Sequence, residues 1–190
     1  MKTIKFTIVA AIMCMAVSCG NKQQPATENG EQAATETVMD VDALLADAEN
    51  LVNKEVVFDG VCTHACKHGA TKIFMMGSDD TKTIRVEAAK LGSFDTKCIN
   101  SIVKVNGVLR EERVDEAYLQ QWEAKAKALS DNHGDGEGGC STEKNARGET
   151  ANTTEGRIAD FRAKIAANQE KTGKAYLSFY FVEAVSYEIQ

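Results

Sequence analysis

Residues 56–74, VVFDGVCTHACKHGATKIF, gather most of the chemistry in this chain of 190 residues: two of its six cysteines and two of its three histidines. Cys62, His64, Cys66 and His68 stand at every second position, a spacing that puts side chains on one face of an extended strand. Imidazole and thiolate suit transition metals, whereas Mg2+ and Ca2+ want oxygen. The four are therefore candidate ligands for zinc, copper or haem. Strand geometry limits how they can act. Neighbours two apart are about 6.7 Å apart at Cα, close enough to share one ion, but residues 62 and 68 are about 20 Å apart on a straight strand. A turn at residues 67–70 lets His64, Cys66 and His68 converge and leaves Cys62 on the core side. The spacing is neither a Cys-x2-Cys zinc knuckle nor the Cys-x2-Cys-His haem attachment signature.

Other polar features have plainer readings. His133 and Cys140 lie in a glycine-rich stretch over 132–151, read as a solvated insertion, with a fold back over the site as the alternative. Met75-Met76 reads as core filling, with thioether ligation of copper(I) the alternative. Residues 110–113, REER, read as a solvated strand end, and Asp79-Asp80 as a turn. No nucleophile elbow, phosphate loop, zinc-protease helix or paired-carboxylate pattern is present. A conventional hydrolase, kinase or nucleotide enzyme has no support, and a non-enzymatic module is the reading preferred.

The elements that must position these residues follow from periodicity. Residues 39–52 carry apolar side chains at 41, 44, 45, 48, 51 and 52, a helical stripe with Asp40 as N-cap. Strands are predicted over 55–66, 71–77, 82–88 and 101–114. Turns at 67–70 and 77–80 make the first three a meander. Helices are predicted over 115–129 and 154–171, with 130–152 a disordered glycine-rich loop between them, and a last strand over 175–189. Gly60 and Gly107 recur in Asp/Asn-Gly-Val steps, where an interior glycine marks a bulge or the bend of a closing barrel. Val57, Val61, Val103, Val105 and Phe181 are the predicted core.

This order is that of an oligonucleotide/oligosaccharide-binding (OB) barrel. The expected fold is α+β: a five-stranded OB-like barrel with a leading helix and a helical insertion before the last strand. Residues 44–113, with the Lys104-x-x-Gly107-Val108 type of fourth strand, resemble the OB domains of small secreted bacterial lipoproteins. An unrelated small β-sandwich is the competing fold.

The amino terminus adds to that resemblance. Lys2 and Lys5 precede an apolar run over 6–17, which closes on Ala16-Val17-Ser18-Cys19. This looks like a bacterial lipoprotein signal over 1–18, with Ala16 in place of the usual large aliphatic residue. The resemblance implies a diacylglycerol on Cys19 and a lipid bilayer as partner. An ordinary secretory peptide is the alternative. Gly20 is not the aspartate that holds such proteins at the inner membrane, which points to the periplasmic face of the outer membrane. Residues 19–38 read as a flexible tether and 39–190 as the folded domain. The formal net charge is −6 and becomes more negative once Lys2 and Lys5 are removed, which argues against nucleic acid.

With Cys14 in the signal and Cys19 lipidated, Cys62, Cys66, Cys98 and Cys140 remain for pairing or ligation. Cys62 and Cys66 are about 13 Å apart on a straight strand, beyond disulfide reach, but either could bridge to Cys98 or Cys140. Two functional readings follow. One is a membrane-anchored envelope lipoprotein whose OB-like domain holds a metal or haem-type cofactor through the Cys/His cluster. The other is a non-catalytic envelope protein that binds a protein or glycan partner, its cysteines in structural disulfides.

Overall fold

The computed structural model describes residues 37–67, 69–130 and 140–190. The signal, Cys19, nearly all of the tether, His68 and His133 lie outside the described residues. Among the described residues, no helix is long and apolar enough to cross a membrane.

Asp40 caps the first helix as its position implies: its Oδ1 accepts from the Ala43 amide at 2.7 Å. Helix α1 (Val41–Ala46) then buries Val41 and Leu44. The single helix expected over 39–52 is in fact two, because Asp47 leaves helical geometry (φ −108°, ψ 12°) and α2 (Ala48–Leu51) restarts after it. The Asp47 side chain accepts from Asn50 Nδ2 at 2.7 Å, a local bond of the kind that competes with the helical ladder. Ahead of α1, strand β1 (Met39–Asp40) runs parallel to strand β2 (Glu55–Ala65).

Strands β3 (Lys72–Met76) and β4 (Thr83–Glu87) continue the meander, and β5 (Ile102–Val114) and β6 (Leu177–Ile189) complete the sheet. The order is β2-β3-β4-β6-β5, with β5 pairing back onto β2. All these pairings are antiparallel except β4–β6, which is parallel. Among the described residues, this is a closed five-stranded mixed barrel with one extra strand, the OB-like α+β architecture expected from the element order.

The barrel is filled by Val41, Leu44, Phe58, Ile73, Met75, Ile84, Val86, Val103, Val105, Leu109 and Val182. Val103 and Val105 face inward as predicted. In β2 the expected phase is off by one: Val56 and Phe58 are buried, Val57 is half-buried and Val61 is 36% exposed. Because side chains alternate, a one-residue error exchanges the two faces of a strand. Phe181 is also only half-buried, its outer face covered by the Arg85 guanidinium 4.6 Å from the ring centroid.

Gly107 sits where the β5–β6 register shifts, so the predicted bulge is real there. A Cβ on Gly107 would stand 2.4 Å from the Glu183 carbonyl oxygen. Gly60 has a different role. It admits the close approach of α1, whose Val41 Cγ2 would lie 2.7 Å from an added Cβ.

The β5–β6 ribbon continues beyond the barrel and carries a second, smaller core. Val114 packs there with Leu119 of α3 (Glu116–Ser130) and with Ile158, Phe161 and Ile165 of α5 (Thr154–Thr172). Thr153 caps α5 by accepting from the Gly156 amide at 3.1 Å, and Gly173 ends it in the left-handed region at φ 78°. The stretch 130–152 was expected to be a disordered loop. Its residues 140–152 instead include α4 (Ser141–Ala146), held against β4 by the Glu143–Arg85 ion pair. Residues 131–139 lie outside the described residues.

Candidate metal centre

The β2–β3 connection decides which of the cysteines and histidines can meet. Pairing runs Val61 opposite Met76, Cys62 opposite Met75, then His64 opposite Phe74, so Thr63 is an extra residue in a β-bulge. One inserted residue reverses the alternation beyond it. Cys62 therefore points into the barrel core and is fully buried, while His64 turns to the outside. Cys62 is further held by backbone bonds from its amide to Ser101 O (3.0 Å) and from the Asn100 amide to its carbonyl (2.7 Å). Its thiol lies 3.6 Å from the His64 carbonyl oxygen, not beside the imidazole. Cys62 is thus removed from the expected ligand set.

Cys66 ends the strand. Its amide donates to Lys72 O at 2.9 Å and its carbonyl accepts from Ala70 at 3.0 Å, closing the expected turn through Gly69 (φ 77°) and Ala70 (φ 49°). His64 and Cys66 thereby share one side of the sheet edge, as the turn argument required. His68 lies outside the described residues.

The residue that joins them is Cys140, which precedes α4. Its Sγ lies 3.2 Å from His64 Nε2. The ligand atoms of His64, Cys66 and Cys140 all fall within 4.8 Å of one another, and each residue is partly accessible. One imidazole and two thiols at that separation can hold a metal ion. Phe74 backs the imidazole, its ring centroid 5.9 Å away. All four described cysteines are free thiols, so neither Cys62 nor Cys66 is bridged to Cys98.

An ion-pair cluster holds Cys140 in place. Glu143 of α4 meets Arg85 Nη1 of β4 at 2.5 Å and Lys72 Nζ of β3 at 3.4 Å. Arg147, one turn further on, pairs with Glu112 of β5 and stands 5.0 Å from the Phe179 ring centroid. Arg85 also reaches Glu112 at 3.4 Å. Its Nε is 3.2 Å from Glu87 Oε1 but makes no aligned hydrogen bond. Burial alone would raise the Glu143 carboxyl, but Lys72, Arg85 and Arg147 outweigh it and hold the group below its ordinary range.

The thiols divide by environment. Burial, reinforced by Cys98, pushes Cys62 up to about 11. Burial also raises Cys98, with Asp95 adding to it. Cys66 is raised by burial and by its neighbour Cys140. Burial works in the same sense on Cys140, yet hydrogen bonds from the Glu143 and Thr142 amides, the Thr142 hydroxyl and Cys66 hold it below the ordinary cysteine range. Cys140 is thus the readiest thiolate of the four. Sequence periodicity could not find it, because the glycine-rich stretch has none. One local signal was available: Glu143 and Arg147 stand at i and i+4, an orientation that supports a short helix, and they lie 3.8 Å apart.

No known family matches the chain, and no curated protein does. Two solved structures resemble it distantly. One, described as an aspartyl-tRNA synthetase from Leishmania major Friedlin, is 18% identical over 47% of this chain and 18% of its own, with a TM-score of 0.30. The other, an aspartyl tRNA synthetase from Entamoeba histolytica, is 12% identical over 88% of this chain and 44% of its own, with a TM-score of 0.32. The chain spans less than half the length of either.

Proposed function

We propose that this protein is a lipid-anchored envelope module, non-enzymatic, whose OB-like barrel holds one soft transition-metal ion through His64, Cys66 and Cys140. The observation that carries the metal is the convergence of these three donors within 4.8 Å. One imidazole and two thiolates match Zn2+ or copper(I) better than any oxygen-seeking cation. A haem iron takes its protein ligands axially, so three clustered donors suit a single ion better than a haem. Three ligands leave one tetrahedral position to a further donor. The anchor at Cys19 rests on the amino-terminal sequence alone.

Metal analysis of the full chain, purified under reducing conditions, tests the site. About one zinc or copper per chain is expected. His64→Ala, Cys66→Ala and Cys140→Ala should each lower the affinity while leaving the barrel folded, and Cys98→Ala should not. A His68→Ala variant asks whether the chain supplies the fourth ligand. Protein that binds no zinc or copper, or in which the three variants bind as the parent does, would end the reading. Cys19→Ser should move the protein from the membrane fraction to the soluble fraction, and a variant that stays membrane-bound would refute the anchor.

A further inference from the structure

Cys66 and Cys140 are 74 positions apart in sequence, yet their sulfurs share one cluster with the His64 ring. Neither lies inside a helix or strand: Cys66 follows β2 and Cys140 precedes α4. Both are partly accessible, whereas Cys62 and Cys98 are sealed in the barrel core at 0% exposure. A dissolved disulfide can therefore reach one pair of thiols and not the other. The same two sulfurs cannot serve an ion and each other together. Tetrahedral Zn2+ with bonds of about 2.3 Å keeps its two sulfurs about 3.8 Å apart. A disulfide brings them to about 2.05 Å and leaves neither as a thiolate donor.

We propose that Cys66 and Cys140 form a thiol–disulfide exchange site whose substrate is a low-molecular-weight disulfide, and that their oxidation expels the metal. The exchange itself needs only the two thiols, and the metal release rests on the function proposed above. In the first step, one cysteine sulfur attacks a sulfur of R–S–S–R. A mixed protein–S–S–R disulfide forms and one RS− leaves. In the second, the other cysteine sulfur attacks the protein-side sulfur, the Cys66–Cys140 bond forms and the second RS− leaves. Two electrons pass from the cysteines to the small disulfide. In metal-free protein the thiol protons pass to solvent or to the departing thiolates. In the loaded site, where both sulfurs are already thiolates, the released cation balances the charge of the two RS−. The ion, left with His64 as its sole donor from the cluster, dissociates. A reducing dithiol reverses both steps and restores the ligands.

The test uses the full chain, reduced and loaded with zinc, and in parallel the same protein stripped of metal. Each is titrated with oxidised glutathione. Peptide mapping without reduction reads the crosslink, and a chromophoric chelator reads released zinc. The expected result is a Cys66–Cys140 crosslinked peptide in both samples, with one zinc released per crosslink and full recovery in dithiothreitol. Cys66→Ser and Cys140→Ser should each stop at the mixed glutathione disulfide, while Cys98→Ser should crosslink as the parent does. Absence of the Cys66–Cys140 peptide, or a crosslink that joins Cys62 or Cys98 instead, would overturn the exchange site. Crosslinked protein that retains its zinc would overturn the coupling. If the reduced chain takes up no zinc, the metal reading fails by itself, and the crosslink in the metal-free sample still decides the exchange.

Discussion

Glu143→Gln should weaken metal binding without touching a ligand. Cys140 belongs to no strand, and its place beside His64 depends on how firmly α4 is docked on the barrel. Glu143 provides two of the contacts, with Arg85 at 2.5 Å and Lys72 at 3.4 Å. The carboxylate is 20% exposed and the guanidinium 11%, so solvent screens the pair only in part. A hydrogen bond to a charged group contributes about 1.5–3 kcal/mol under such conditions. Glutamine keeps one acceptor, and Arg85 keeps Glu87 and Glu112 nearby, so the loss belongs at about 2 kcal/mol and not at the 3–5 typical of an orphaned buried charge. That energy shifts docking of α4 by about 30-fold. The apparent affinity falls only by the fraction of chains that undock, so the zinc Kd should rise, by at most about 30-fold. One effect opposes this: Glu143 helps to raise the Cys66 thiol, and removing its charge eases thiolate formation. Glu143 stands behind burial and Cys140 among the causes that raise Cys66. Chelator competition measures the Kd, and the alkylation rate of Cys140 in metal-free protein reports docking independently. An unchanged Kd together with an unchanged Cys140 rate, in folded protein, would show that the ion pairs do not hold the site together.

Three further outcomes follow from the same structure. Gly107→Ala should destabilise the domain by about 2–3 kcal/mol through overpacking, since the new Cβ meets backbone atoms of β6 at the bulge. Gly173→Ala, in the left-handed region at φ 78° with nothing within 4 Å of an added Cβ, should cost only about 1–2 kcal/mol of left-handed strain, and denaturant midpoints in the reverse order would refute the packing argument. Iodoacetamide at neutral pH should modify Cys140 first and Cys66 more slowly. A lowered thiol is anionic at a lower pH, whereas Cys62, pushed up to about 11, stays protonated and sealed until the barrel unfolds; equal rates at Cys62 and Cys140 would contradict this. Val105→Ala, at a fully buried position, should cost about 1–3 kcal/mol in a denaturant titration, and a neutral effect would place Val105 outside the core.

The sequence by itself determined the kind of fold. Alternation in 101–114, the apolar stripe over 41–52 and the turn residues near 67–70 and 77–80 are local properties, legible because side-chain periods of 2 and 3.6 are set by backbone geometry. Those signals sufficed for the order of the five barrel strands, for the Asp40 cap and for the closing last strand. They also placed His64 and Cys66 at a turn with soft-ligand chemistry. What they could not supply was the phase of β2 and the choice at Cys140, for which a fold back over the site stood only as the alternative to a solvated insertion. Thr63 looks like any other strand residue, and its bulge exists because β3 pairs with β2 on both sides of it. That pairing turns Cys62 inward and His64 outward, against the every-second-residue pattern. Cys140 reaches the cluster across 74 positions because Glu143 finds Arg85 and Lys72 on two other strands. Contacts of that range have no trace in local periodicity, since the energy that makes them depends on groups brought together only when the barrel closes.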